Sequence, residues 1–449
     1  MTKNLTEGNP MKLIFFFTLP LVAGNIFQQL YAFVDTLIVG RFLGVEALAA
    51  VGCTGSLMFL MVGFVMGMTT GFSIYTGQRF GARDEAGVRQ SVAACTLLSV
   101  GASVVLTLLG VLFCRSFLLW MQTPSEIMEG AVSFIQIIYG GIVMSVLFMM
   151  QTNLIRALGD SRTPTIMLAL GLLLNIAFEP VFILVFGWGI PGAALATVSS
   201  QVFANLVCLF YIMRKVPLLH VRREDWKVSG KLLAVHLKIG LPMGFQASII
   251  AIGAVILQAA LNELGPLAVA AYAAAQKVDM IAVMPMMSFG MAMAAYTAQN
   301  YGARKLERIE KGVTQCTVMS IAFSMVVGLF NIFCGPSILY LFVGPGQQQV
   351  IDYGQLYLVV NGVCYWILSL LFIYRYTLQG LGQSMVPTIA GIMELLMRAG
   401  AALFLVSCTG YLGACLANPL AWIGSCVPLA VAFYMTRRAL RRQYRSVGD

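Results

Sequence analysis

Four carboxylic acids lie inside long apolar stretches of this 449-residue sequence, where a charge is unexpected. They are Asp35, Glu179, Asp279 and Glu394; most of the other acidic residues fall in polar connecting segments. A charge within hydrocarbon costs several kcal/mol, so such residues mark ion pathways, substrate sites or ion pairs. Each of the four therefore needs either a function or a partner.

Asp35 and Glu179 are predicted to lie at one depth. Each precedes a glycine that ends its apolar stretch, by five and eight residues, and a helical rise of about 1.5 Å per residue places both roughly 8–12 Å from that end. Asn175 lies one helical turn before Glu179, and Thr197 reaches the same layer on the next stretch. Pro180 frees backbone carbonyls at this depth. This set predicts an oxygen site that holds sodium, or a carboxyl pair that shares a proton.

A second charged set lies nearer the C-terminus. Glu394 and Arg398 are four residues apart, so they share one helix face and form either a structural ion pair or part of a charged cleft wall. Lys277 lies in another apolar stretch and needs a carboxylate, for which Glu394 is a candidate. The first apolar stretch carries a polar face that either lines a cavity or bonds helices together. That face consists of Asn25, Gln28 and Tyr31.

The composition excludes a soluble enzyme. Hydrophobic residues make up 59% of the chain and charged residues only 10%, whereas about a quarter of a soluble domain is charged. Lipid must therefore be the solvent. The sequence has no P-loop, nucleophile elbow, zinc-protease motif or CxxC pair. We expect no enzymatic activity, no cofactor, and no metal other than sodium at Asp35, Asn175, Glu179 and Thr197.

The apolar stretches that are long enough to span a membrane number twelve. Most of the 28 Lys and Arg residues fall in alternate connections and at the ends, which predicts that both termini are cytoplasmic. Basic segments of this kind face anionic lipid, so the net charge of +10 does not require nucleic acid. The spans cover roughly 13–39, 48–76, 91–113, 129–154, 164–187, 191–213, 234–261, 267–298, 313–335, 353–378, 387–408 and 411–435.

The chain repeats itself at a nearly constant offset, close to half its length. The segment QRFGAR at 78–83 recurs as QNYGAR at 299–304, LGDSRTPT at 158–165 recurs as LGQSMVPT at 381–388, and Pro20 corresponds to Pro242. Because six spans per half is an even number, both halves enter from the same side. The predicted fold is an all-α membrane protein with two six-helix lobes related by a pseudo-two-fold axis along the membrane normal. The predicted divisions are an N-lobe at 1–213, a basic cytoplasmic linker at 214–233, a C-lobe at 234–436 and a basic cytoplasmic tail at 437–449.

Two motifs make the resemblance specific. The segment QQLYAFVDTLIVGRFLGVEALAAVG, which begins at Gln28, and the paired loops GQRFGAR and AQNYGAR resemble the multidrug and toxic compound extrusion (MATE) family over nearly the whole chain. The resemblance implies a bacterial antiporter that exports cationic or amphipathic drugs or metabolites in exchange for protons or sodium. Many prokaryotic members carry an N-lobe cation site, and Asp35, Asn175, Glu179 and Thr197 match its pattern. Glutamate stands at 179 where the pattern has aspartate, which leaves the coupling ion open.

The resemblance also sets the remaining expectations. We expect a multi-pass protein of the bacterial cytoplasmic membrane, a monomer, whose partners are small organic cations or amphipathic compounds and membrane lipid. Another branch of the family carries essential acids on spans 7 and 10, and neither span has one here. The alternative is a flippase of lipid-linked saccharides, which would need several basic residues inside the cleft to hold pyrophosphate; only Lys277 and Arg398 are candidates for that role.

Overall fold

The computed structural model describes residues 4–445, with side chains as far as Tyr444. Residues 1–3 of the predicted N-lobe and 446–449 of the predicted tail lie outside the described residues. The described part is helical, with short connections and no strand. Its helices are α1 Pro10–Cys53, α2 Gly55–Gly81, α3 Glu85–Trp120, α4 Ser125–Gly140, α5 Ile142–Ala157, α6 Arg162–Pro180, α7 Gly189–Lys215, α8 Gly230–Glu263, α9 Pro266–Gly302, α10 Leu306–Val343, α11 Gln348–Gly380, α12 Met385–Gly400, α13 Val406–Thr409 and α14 Tyr411–Arg445.

The predicted multi-pass, all-helical fold is confirmed. Among the described residues, eleven helical segments are long and apolar enough to cross a membrane, and α4 with α5 makes a twelfth that bends by 47°. The bend falls at the glycine pair Gly140–Gly141, within the predicted span at roughly 129–154. Many large apolar side chains point outward, Phe333 and Leu341 among them. Such a surface is stable only when lipid covers it.

Helix α1 extends further than the apolar pattern predicted. Regular helix continues beyond the predicted span of roughly 13–39 as far as Gly44, whose φ of 86° and ψ of −175° interrupt it. A residue with a Cβ rarely adopts this conformation, so glycine marks the break. Asp35 therefore lies nine residues before the break, about 13 Å along the axis.

The helices form two compact units. The first unit contains residues 20–244 together with Asn4, and the second contains residues 5–19 and 245–445. The predicted lobe boundaries at 213 and 234 remain a prediction; the packing places the first part of α1 with the second unit and the first part of α8 with the first unit. In the second unit, the backbone N–H of Leu5 donates to Oε1 of Gln299 at 2.9 Å, and Arg308 donates to the carbonyl of Gly8 at 2.9 Å.

Within the second unit, α10 and α11 approach closely at a pair of glycines. A Cβ added to Gly328 would lie 2.6 Å from the carbonyl oxygen of Gly362, whereas a Cβ on Gly101 in α3 would meet nothing within 4 Å. Small residues at such crossings let membrane helices pack backbone to backbone. We expect Gly328→Ala to destabilise the protein by about 1–3 kcal/mol through overpacking. Gly101→Ala is the control and should be neutral or stabilising by up to about 1 kcal/mol.

Thermal unfolding of the purified variants in detergent measures this difference. A lower midpoint for Gly328→Ala with an unchanged or higher midpoint for Gly101→Ala is the expected result. Equal midpoints for the two variants would contradict the close α10–α11 contact.

Candidate functional site

Asp35 lies on α1 and Glu179 on α6, both in the first unit. Helix α1 packs against the start of α6, where Oγ1 of Thr165 donates to the carbonyl of Pro20 at 2.6 Å. From that contact, α1 runs to Asp35 and α6 runs to Glu179 over nearly equal lengths of helix, which brings the two carboxyls close enough to interact electrostatically. Sequence reasoning placed them at one depth, and the structure brings them together.

The amide and the hydroxyl of the predicted set join the same cluster. Nδ2 of Asn175 donates to Oγ1 of Thr197 on α7 at 3.4 Å. Glu179 and Asn175 are completely buried, Thr197 is 8% exposed, and Asp35 is half-buried. All four predicted cation-site residues therefore lie in one cluster of the first unit.

Most of the oxygens in this cluster have no donor from the protein. Within the described residues, Oδ1 of Asp35, Oδ1 of Asn175 and both carboxyl oxygens of Glu179 are buried without a hydrogen-bonding partner. Burying a polar oxygen unpaired costs free energy, and burying a charged one costs far more. Carboxylate and amide oxygens are ligands for hard cations, and a carboxyl can instead carry a proton. The donor set thus fits sodium or protons.

Tyr31 and Ser200 complete the cluster. The Tyr31 hydroxyl lies beside Thr197 and Ser200 and interacts electrostatically with both carboxyls, although it makes no hydrogen bond of good geometry within the described chain. Oγ of Ser200 donates to the carbonyl of Thr197 at 2.8 Å. Sequence reasoning named Tyr31 only as a cleft residue and missed Ser200, which lies one turn after Thr197.

The backbone after Glu179 is irregular. Pro180 lacks an N–H, and the next residues, Val181–Val185, form a π-helical segment that ends with the N–H of Phe186 donating to the carbonyl of Val181 at 3.1 Å. Such segments are frequent at functional sites, because they shift the side chains around them. Here the segment begins two residues after the buried glutamate.

The second unit contains a buried ion-pair network. Oε2 of Glu394 accepts from Arg375 at 2.8 Å, and Oε1 accepts from Arg398 at 3.1 Å. The predicted pairing of Glu394 with Arg398 is confirmed. Arg375, which is 6% exposed, is an additional partner that the sequence pattern did not indicate.

Hydrogen bonds extend this network to the fourth buried acid. Nε of Arg398 donates to Oδ1 of Asn418 at 3.2 Å, and Nδ2 of Asn418 donates to the Tyr357 hydroxyl at 3.1 Å. The hydroxyls of Tyr357 and Tyr365 donate to the two carboxylate oxygens of Asp279. Asp279 and Glu394 of the second unit are therefore both supplied with donors, unlike Glu179 in the first unit.

Lys277 does not pair with Glu394. It is exposed on α9, whereas Asp279, two residues later, is buried. Both oxygens of Glu394 are already bound by arginine within the described chain, so the suggested Lys277 partner is wrong. Asn25 is half-buried and Gln28 is exposed, and their lining of a cleft stays a prediction, as it does for Lys277, Glu394 and Arg398.

The comparison with known families decides the identity. A family model described as MatE matches the chain twice, at residues 20–181 and 242–403. The chain belongs to the MATE family. The two matched segments begin at the paired prolines Pro20 and Pro242, so their spacing is that of the internal repeat, and together they cover most of both halves of this MATE protein.

Relatives and solved structures agree with this assignment. The probable multidrug resistance protein YpnP of Bacillus subtilis is 31% identical over 68% of this chain and 68% of its own length. The probable multidrug resistance protein YoeA of the same species is 28% identical over 88% of this chain and 86% of its own length. The outward-facing structure of a multidrug resistance MATE family transporter is 25% identical, with a TM-score of 0.89 over 97% of this chain and 98% of that one.

Proposed function

We propose that this chain is a secondary active antiporter that exports cationic or amphipathic drugs or metabolites in exchange for protons or sodium by alternating access. The observation that carries the proposal is the set of buried acceptors on Asp35, Asn175 and Glu179, which have no protein donor within the described residues. The relatives YpnP and YoeA are named as probable multidrug resistance proteins, which supports the substrate class.

The cluster suits exchange rather than permanent binding. A site without protein donors is stabilised when sodium or protons enter, because either one neutralises buried carboxyls. When the ion leaves, the same negative charge attracts a cationic drug. One site can therefore favour drug in one ionic state and ion in the other, which is what coupled exchange requires.

The proposed setting is the bacterial cytoplasmic membrane, with both termini cytoplasmic and the chain acting as a monomer. The basic end of α14 supports this orientation. Arg437 pairs with Glu310 at 2.8 Å, and Arg441 pairs with the same carboxylate. Arg438 and Arg442 are exposed. These two side chains suit anionic lipid at the inner surface.

No observation favours the flippase alternative. Holding pyrophosphate would need basic side chains that are available to a ligand inside the spans. Arg375 and Arg398 are both engaged by Glu394.

The first test is competition between ion and drug. Because protons or sodium neutralise the carboxyls that attract a cationic drug, we expect drug affinity to fall as the pH drops or as sodium rises. Linkage makes the effect reciprocal, and a coupling of about 1–3 kcal/mol, a roughly 5–150-fold change in affinity, is typical. Ethidium binding to the purified protein across mildly acidic to mildly alkaline pH, with and without sodium, measures the effect.

The control for this titration is Asp35→Asn, which removes one of the two carboxylates. Its ethidium affinity should respond less to pH and sodium than that of the wild type. If the wild type binds ethidium with one affinity across all conditions, competition through this cluster is refuted.

A further inference from the structure

The internal repeat extends to the cation cluster, residue by residue. Gly192–Thr197 reads GAALAT and Gly413–Asn418 reads GACLAN, so Asn418 is the repeat counterpart of Thr197. The aligned Thr-Pro-Thr and Val-Pro-Thr segments likewise place Arg398 at the position of Asn175. The hydrogen bonds agree, since Asn175 donates to Thr197 at 3.4 Å and Arg398 donates to Asn418 at 3.2 Å. The neutral amide of Asn175 in the first repeat is therefore replaced by the positively charged Arg398 in the second.

At the counterparts of Asp35 and Glu179, the second repeat loses a charge. Counting from the paired prolines at 20 and 242, the counterpart of Asp35 is Leu257, which is 2% exposed. The counterpart of Glu179 is Ala402, which is 5% exposed. Gly253 takes the position of Tyr31, and a Cβ built on Gly253 would lie 3.4 Å from Cδ of Arg398. In the second unit, neither counterpart of the two acids is acidic. The Arg398 side chain lies next to the point where a side chain at 253, the counterpart of Tyr31, would begin.

We propose that Arg398 is a built-in cation. In this interpretation its guanidinium takes, within the second unit, the role that an exchangeable sodium ion or proton takes in the cluster of the first unit. The inference rests on the proposed function, because it needs the first cluster to be the exchanging site. It adds that the chain couples transport through one lobe only, since the equivalent position in the other lobe carries a tethered positive charge.

The surrounding charges agree with a fixed cation. The groups that face Arg398 are Glu394 at 3.1 Å, Asn418 at 3.2 Å, and Tyr272, which also interacts with Asp279. Two arginines, at 375 and 398, balance the carboxylates of Glu394 and Asp279 across this network. Removing the charge of Arg398 leaves two buried carboxylates and one arginine. A site with this excess of negative charge should recruit a cation from solution.

The substitution Arg398→Asn tests this directly, because it restores the residue type found at Asn175. We expect the full-length variant to bind one more monovalent cation per chain than its parent, measured as radiolabelled sodium bound at equilibrium or as protons taken up when the pH falls. Arg398→Lys keeps the charge and should keep the wild-type stoichiometry. Unchanged sodium and proton stoichiometry in folded Arg398→Asn protein would overturn the proposal.

A second variant keeps the test decisive if Arg398→Asn does not fold. Leu257→Asp places a carboxylate at the counterpart of Asp35, one helical turn from Gly253, where Arg398 passes. With Leu257→Asp the network holds three carboxylates and two arginines, the same excess of one negative charge as in Arg398→Asn, so we expect this variant also to bind one more sodium ion or proton than its parent. Unchanged sodium and proton stoichiometry in folded Leu257→Asp protein would show that the arginines do not set the number of cations bound there, and the proposal would fail.

Both substitutions are also made in the Asp35→Asn background. If Asp35→Asn alone leaves sodium and proton binding unchanged, the proposed function fails. The built-in cation is judged separately, from the difference in the number of cations bound between each Arg398 or Leu257 variant and its own parent. The two outcomes are separate measurements, so one does not hide the other.

Discussion

Asp35→Asn should abolish coupled drug export while the protein still folds and reaches the membrane. The substitution removes one of the two interacting carboxyls of the first unit, so the cluster loses a ligand for sodium or a carrier of a proton. Oδ1 of Asp35 is buried without a partner in the described chain, so losing the charge removes a desolvation cost and breaks no ion pair there. Stability should therefore stay the same or rise.

Drug resistance of cells that express the variant, compared at equal amounts in the membrane, is the measurement. Thermal unfolding of the purified variant provides the folding control. Wild-type resistance at wild-type abundance would show that Asp35 has no part in coupling.

Glu394→Gln should act mainly on stability. The glutamate carboxylate is 5% exposed and accepts from Arg375 and Arg398, so the neutral amide leaves two buried guanidiniums facing a group that is itself partly a donor. Breaking a buried ion pair by changing one partner costs about 3–5 kcal/mol. We expect a loss near the lower end of that range, because the amide oxygen still accepts one hydrogen bond.

Two controls separate stability from coupling. Glu129→Gln breaks the pair with Arg115, whose side chains are 75% and 60% exposed, and should cost less than about 1 kcal/mol. Glu179→Gln should leave stability unchanged or higher, because both glutamate oxygens lack a partner within the described residues. The Glu394→Gln molecules that remain folded should still respond to the coupling ion, and those of Glu179→Gln should not. Equal loss of ion response in both would contradict the assignment of coupling to the first unit.

The first cluster was predictable because its signals are local. A carboxylate in an apolar helix is conspicuous, and the four-residue spacing of Asn175 and Glu179 defines a helix face. Depth followed from the distance along the sequence to the helix ends, although α1 continues to a break at Gly44. The count of twelve spans followed from apolar length in the same way.

The second network was less accessible because its contacts join distant segments. Arg375 on α11 pairs with Glu394 on α12, a contact that the spacing of residues within either helix does not reveal. Asn418 carried a signal that could have been used, namely its alignment with Thr197 in the repeat. The hydroxyls that bind Asp279 carried none, because tyrosines are frequent in spanning helices and their partners depend on tertiary packing.

Ethidium export from proteoliposomes under separately imposed proton and sodium gradients is the decisive measurement of coupling through Asp35 and Glu179. We expect at least one of the two gradients to drive export by the wild type, and the same gradient to drive none in Asp35→Asn or Glu179→Gln at equal reconstitution. Export that proceeds without either gradient, or that responds to the gradient equally in the wild type and both variants, would contradict coupling through this cluster.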